Sequence, residues 1–162
     1  MNAPTAPEQN GPQQPPSSVL FVCGMNAIRS PMAEYLTRHI LGNAIYAKSA
    51  GARAGDPDPF TEAVMAELGI AIGGHQPATL DELADSYFDL VVTLSPEAHH
   101  RALELTRAQS VRVEYWPIMD PSVVAGNRAQ ILAAYRQVRD TLERRIRERL
   151  AGGRRQPLEK AR

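Results

Sequence analysis

Short apolar runs alternate along this chain with stretches in which apolar residues return every three or four positions. The runs are Val19–Val22, Ala44–Ala47, Leu90–Leu94 and Val111–Tyr115. They are brief and rich in β-branched and aromatic side chains, as strands buried in a parallel sheet must be. Helical patterns follow Ser30, Pro59, Thr79 and Ser95, and a last one runs from Arg128 to Leu150. In that last segment Ile131, Tyr135, Val138, Leu142 and Ile146 fall at steps of four, three, four and four, which makes one apolar stripe for the core. Strands alternating with helices predict an α/β fold: a four-stranded parallel sheet, right-handed crossovers and helices on both faces. In such a sheet a ligand sits beyond the carboxyl ends of the strands, where the strand order reverses.

The pattern fades at both ends. Residues 1–17 carry Pro4, Pro7, Pro12, Pro15 and Pro16 among Gln, Asn and Ser, and predict a disordered tail with little to bury. Gly152 and Gly153 predict the end of the last helix, and residues 152–162 read as a charged tail. One domain over residues 18–151 is expected, large enough for a real core. The full chain of 162 residues balances 18 Lys and Arg against 18 Asp and Glu, which argues against a nucleic-acid binder held by a positive field. No apolar run reaches the roughly 20 residues of a membrane span, and the first residues lack the charged head and apolar centre by which a secretion signal is expected to show itself. A single cysteine excludes an internal disulfide and a four-cysteine metal site, so a reducing cytoplasm is expected. His99 and His100 are neighbours in a predicted helix and point in different directions, so no metal is assigned, and no cofactor.

That one cysteine stands where the chemistry is richest. Cys23 closes the first apolar run, Arg29 follows six residues later, and a helix is predicted to start at once, with Ser30 as N-cap, Pro31 in its first turn and Glu34 as a capping-box acid. A strand, a short loop and a helix N-terminus make an anion site, because loop N–H groups turn inward and the helix dipole adds positive potential. Such surroundings favour a thiolate, the attacking form of cysteine. Arg29 offers a planar fork to a tetrahedral oxyanion.

This segment resembles the Cys-x5-Arg-Ser/Thr phosphate loop of the low-molecular-weight protein tyrosine phosphatases and of the thioredoxin-linked arsenate reductases that share their fold. Ser49-Ala50-Gly51, Gly69-Ile70 followed by His75, Phe88-Asp89-Leu90-Val91-Val92-Thr93-Leu94 and Asp120-Pro121 recur in the family's order, so the resemblance spans Val19 to Leu150. It implies a phosphotyrosine phosphatase I-like fold and a phosphomonoester hydrolase, with protein phosphotyrosine or a small phosphomonoester as substrate. Cys23 would be the nucleophile of a cysteinyl-phosphate intermediate, with Arg29 on the phosphoryl oxygens and Asp120 as acid and then base. Gly24, Met25, Asn26, Ala27, Ile28, Arg29 and Ser30 would cradle the phosphate, while Asn26, Ser49 and His75 would brace the loop. Asp56 and Asp58 are expected to serve turns and a helix start.

Several positions depart from the family pattern. Ser122 and Val123 stand where tyrosine-specific members carry aromatic rings, and Ile28 replaces a second cysteine that protects the first. Met25 replaces a frequent glycine. Trp116, Gly126 and Val138-Arg139-Asp140 are reminiscent of the arsenate reductases, which regenerate their nucleophile through two further cysteines; Ser95 stands near one of those places. Arsenate reduction here would therefore need an external thiol as partner. A loop that binds phosphate or phosphopeptides without turnover is a further alternative, although binding alone needs neither thiol nor acid.

Overall fold

The computed structural model describes residues 15–83 and 86–152. Most of the two predicted tails, residues 1–14 and 153–162, lies outside the described residues. Four strands, β1 (Ser18–Cys23), β2 (Tyr46–Gly51), β3 (Leu90–Thr93) and β4 (Arg112–Tyr115), form one parallel sheet in the order β2-β1-β3-β4. The chain steps from β1 outward to β2 through helix α1 (Arg29–Leu41), and from β3 outward to β4 through α3 (Pro96–Thr106). These crossovers run in opposite directions, so the same right-handed sense places α1 and α3 on opposite faces.

Alternation along β1 builds both cores. Val19 and Phe21 join Leu90 and Val92 beneath α1, α2 (Pro59–Ala66) and α4 (Arg128–Arg149). Leu20, Val22 and Val91 face α3, packing with Ala98 and Ala102. The stripe predicted for the last helix is buried at Tyr135, Val138, Leu142 and Ile146. Arg139 ties α4 to α2, donating to the Val64 carbonyl at 2.7 Å and to Glu67 at 2.8 Å. Arg136 joins it, and hydrogen bonds from the two guanidiniums hold the Glu67 carboxyl down to about 2. Among the described residues no helix is long and apolar enough to cross a membrane.

Three predicted features differ. The second strand begins at Tyr46, because Gly42–Ala44 closes α1 with a 3-10 turn. The helix expected after Thr79 is one 3-10 turn, Asp81–Leu83. Its approach is extended, since Gly51 donates to the Ala78 carbonyl and accepts from the Leu80 N–H, which takes the backbone groups a helix would have used. Finally, α1 starts at Arg29 with Ile28 in the cap position, so Ser30 lies inside the helix and its hydroxyl is free for other partners.

Candidate active site

Cys23 ends β1 at the carboxyl edge of the sheet, beside the reversal of strand order between β1 and β3. The following loop is held from outside by the chain after β2. Ala52, Arg53 and Gly55 donate their N–H groups to the carbonyls of Cys23, Gly24 and Met25 at 2.9, 2.8 and 2.8 Å. With these carbonyls drawn outward, the N–H of Asn26 points at the Cys23 Sγ from 3.3 Å. Asn26 takes the left-handed φ of 52° that the reversal needs, and Asn tolerates it better than most residues. Gly51 is where the two segments touch. A Cβ there would lie 2.3 Å from the Arg53 carbonyl oxygen and 2.7 Å from the Asn26 nitrogen.

A chain of hydrogen bonds ends on the sulfur. Asn26 is fully buried, and its Oδ1 accepts from the Ala78 N–H at 2.9 Å, which fixes the orientation of its amide. The same oxygen faces His75 Nε2 at 3.1 Å, so that nitrogen carries the proton. Asn26 Nδ2 therefore donates to Ser30 Oγ at 2.8 Å, and Ser30 Oγ lies 2.9 Å from Cys23 Sγ. Ser30 keeps one proton to give, to the Ala50 carbonyl at 3.2 Å or to the sulfur. An ionised sulfur is an acceptor only, so it draws that proton, and the linked bonds polarise toward it. His75 is partly buried with Tyr35 edge-on at 5.7 Å, and burial pushes its imidazole below the ordinary value.

Above the sulfur lies a cleft lined by Met25, Arg29, Asp56, Asp58, Asp120 and Ser122, among others. Arg29 spends one N–H on the Ile118 carbonyl at 2.9 Å, which aims the guanidinium. Its other terminal nitrogen stands 3.9 Å from Asp120 Oδ2, while Asp120 Oδ1 accepts from the Ser122 N–H and hydroxyl at 2.9 and 2.7 Å. Asp120 thus caps a 3-10 turn at Pro121–Val123 and leaves one oxygen facing the cleft. A thiol, a cupped anion position, a directed guanidinium and a carboxyl group share one small space. Together they suit attack on a tetrahedral oxyanion.

Residues 18–160 match the low molecular weight phosphotyrosine protein phosphatases. The chain belongs to that family. An arsenate reductase of Halalkalibacterium halodurans is 34% identical over 79% of this chain and 91% of its own length. Among solved structures, an arsenate reductase in a phosphate-binding state superposes with a TM-score of 0.66 at 28% identity, covering 84% of this chain and 98% of its own. The YwlE arginine phosphatase of Geobacillus stearothermophilus gives a TM-score of 0.70 at 26% identity, over 85% of this chain and 92% of its own. Phosphatases and reductases of this family are cysteine-dependent enzymes, and the predicted fold is theirs.

Within this family member the structure brings Cys23, Asn26, Arg29, Ser30 and Asp120 together, and His75 reaches the loop through Asn26. Two details are corrected. Ser30 does not cap α1, and Glu34 makes no capping box; counted from Ser30, the third position is Ala33, and Glu34 is turned into the core. There it accepts from the Ser49 hydroxyl at 2.6 Å and pairs with Arg38 at 2.8 Å. Ser49 accordingly ties β2 to α1 and makes no direct bond to Asn26 or His75. Asp58 caps α2 as expected, through Phe60 and Thr61, but it also lines the cleft. The amides of Ala52, Arg53 and Gly55 that hold the loop carry no side-chain signal in the sequence; Gly51, in Ser49-Ala50-Gly51, is the residue that marks them.

Proposed function

We propose that this protein is a cysteine-dependent phosphatase that transfers a phosphoryl group from a phosphorylated protein side chain, phosphotyrosine included, or a small phosphomonoester to Cys23 and then to water. The supporting observation is the placement of Cys23 Sγ, 2.9 Å from Ser30 Oγ and 3.3 Å from the Asn26 N–H, in a cleft that also holds Arg29 and Asp120 at 3.9 Å from each other. In the first step the thiolate forms a bond to phosphorus while the bond to the leaving oxygen breaks, and the Asp120 carboxyl group gives that oxygen a proton. Backbone N–H groups from Gly24 to Ser30, including Met25, Asn26, Ala27 and Ile28, hold the equatorial oxygens with Arg29, which tightens as charge spreads. Ser30 supports the departing sulfur in the second step, when water attacks and Asp120 takes its proton. A reducing cytoplasm suits a thiolate without a protecting partner.

Hydrolysis of an aryl phosphate tests this: Cys23→Ser abolishes it, and Asp120→Ala slows it. The arsenate reductases among the relatives favour a second reading, arsenate reduction. Ser95, which caps α3, offers no thiol, so an external thiol would have to close that cycle. Arsenate-dependent thiol oxidation without phosphatase turnover would establish the reductase instead, and anion binding with neither turnover would leave a binding module.

A further inference from the structure

The first peptide groups of the phosphate loop are each held from behind. Every peptide bond among the described residues is trans, so a carbonyl drawn outward turns the next N–H inward. The bond from Ala52 to the Cys23 carbonyl therefore aims the Gly24 N–H into the cradle, and the bond from Arg53 to Gly24 aims that of Met25. The bond from Gly55 to Met25 aims that of Asn26, the N–H found 3.3 Å from the sulfur. Of these three outer residues only Arg53 has a side chain that reaches further. Its Nε and Nη2 donate to the two carboxylate oxygens of Glu97, both at 3.2 Å. Glu97 stands in the first turn of α3, which follows β3 on the opposite side of β1 from β2. The same carboxylate lies against Gly24, where an added Cβ would be 3.4 Å from its Oε2. Gly24 is thus enclosed by the Arg53 main chain on one side and Glu97 on the other, with the guanidinium joining the two. Both side chains are well exposed, at 64% and 50%, so the pair adds little to the stability of the fold. An acid in a first helical turn also suits the helix dipole, but that role needs no partner beyond β2.

We propose that Arg53 and Glu97 are positioning residues for phosphoryl transfer: their ion pair clasps the loop at Gly24 and keeps the Met25 N–H aimed at a phosphoryl oxygen. This rests on the phosphatase reading and extends it to two residues that do not line the cleft. The clasp acts through the backbone. It restrains the chain at Arg53, whose N–H holds the Gly24 carbonyl at 2.8 Å, and it closes a ring that runs from the end of β2 through the loop to α3. The two-pronged contact fixes direction, which a single-point charge pair would not. Loss of either partner opens the ring and lets the Gly24–Met25 peptide plane rotate away from the anion. Donors aimed at developing charge lose their effect steeply with misalignment, so a small rotation is felt in the transition state. Neither side chain meets the substrate, and neither gives or takes a proton.

The test is a double-mutant cycle on Arg53→Gln and Glu97→Gln, both of which keep the backbone N–H groups. It is read by kcat/KM for para-nitrophenyl phosphate and by the rate at which iodoacetamide alkylates Cys23 at neutral pH, with thermal melting to verify folding. Each single variant is expected to lower both rates about two- to fivefold, the most that an exposed pair can transmit, with little change in melting. The double variant should fall no lower than either single one, because the partners act as a unit, and Arg53→Lys should recover part of the loss. Wild-type rates in both single variants overturn the proposal. So do additive losses, or losses of opposite sign, which would mean that each charge acts on the anion by itself. All of these outcomes leave the phosphatase intact. Failure of the wild type to hydrolyse para-nitrophenyl phosphate overturns the phosphatase reading and the role in phosphoryl transfer with it.

Discussion

The guanidinium of Arg29 and the carboxylate of Asp120 face each other at 3.9 Å across the cleft. That is beyond hydrogen-bond reach yet close enough for each to feel the other's charge. Neither is locked to the other. Arg29 is steered by the Ile118 carbonyl and Asp120 by Ser122, so both keep free valence toward the space between them. A phosphoryl group with its leaving atom fits that arrangement, with Arg29 on the equatorial oxygens and Asp120 on the departing one.

An acid in that place should matter most when the leaving group is basic. Asp120→Asn is expected to slow hydrolysis of phenyl phosphate by about 10²–10⁴-fold, the usual contribution of a positioned acid. Para-nitrophenyl phosphate, whose oxygen departs without a proton, should be slowed far less. Comparing kcat/KM for the two esters, which reports the steps through departure of the leaving group and not the shared hydrolysis of the cysteinyl-phosphate, checks this, and equal slowing would exclude Asp120 as proton donor.

Ser30 links the brace to the sulfur, so Ser30→Ala should make Cys23 less reactive as well as the protein less stable. Alkylation of Cys23 by iodoacetamide at neutral pH is expected to slow about tenfold, since the lost hydrogen bond favours the thiolate. Unfolding in urea should show a loss of about 1–3 kcal/mol, because the buried Asn26 amide and Ala50 carbonyl lose a partner. Unchanged alkylation would mean that the 2.9 Å contact does not activate the sulfur.

Gly51 admits no side chain. The nearest atoms to a Cβ there are backbone, at 2.3 and 2.7 Å, and they belong to the two segments that shape the loop. Gly51→Ala should cost about 1–3 kcal/mol of stability, as overpacking does. It should also lower turnover disproportionately, because relief of the clash displaces Asn26. Melting and aryl phosphate turnover measured together test this; a variant that melts and turns over like the wild type would show that the segments part at no cost.

Legibility followed the physical range of each interaction. Cys23, Arg29 and Ser30 lie within one strand–loop–helix unit, and local spacing carries that much. Asp120 is far away in sequence, and only the resemblance joined it to the loop, since Asp-Pro also opens ordinary turns. Ser30 illustrates the limit of local rules: an N-cap by residue type, it became the hydroxyl beside the sulfur because α1 begins two residues earlier than capping chemistry implies. The helix expected after Thr79 failed for a tertiary reason, the pairing of Ala78 and Leu80 with Gly51. Glu34 suits a capping box by spacing and the resemblance implies Ser49 as a loop brace, yet the two meet each other in the core, a pairing between α1 and β2 that spacing does not encode.

His75 gives the brace a pH dependence whose sign is fixed by its surroundings. Burial holds its imidazole below the ordinary value near 6.5, with the Glu34 charge opposing the shift more weakly. Just below pH 6.5 the unfolded chain therefore binds more protons at this position than the folded protein does, and stability rises with pH through that window. The contribution is complete above the ordinary value and fades as the pH falls from there toward the folded one. Urea midpoints between pH 5 and 7.5 should decline on acidification in the wild type. His75→Gln can still donate to Asn26 Oδ1 without titrating, and should flatten that decline. Parallel curves for the two proteins would assign the acid sensitivity to other groups.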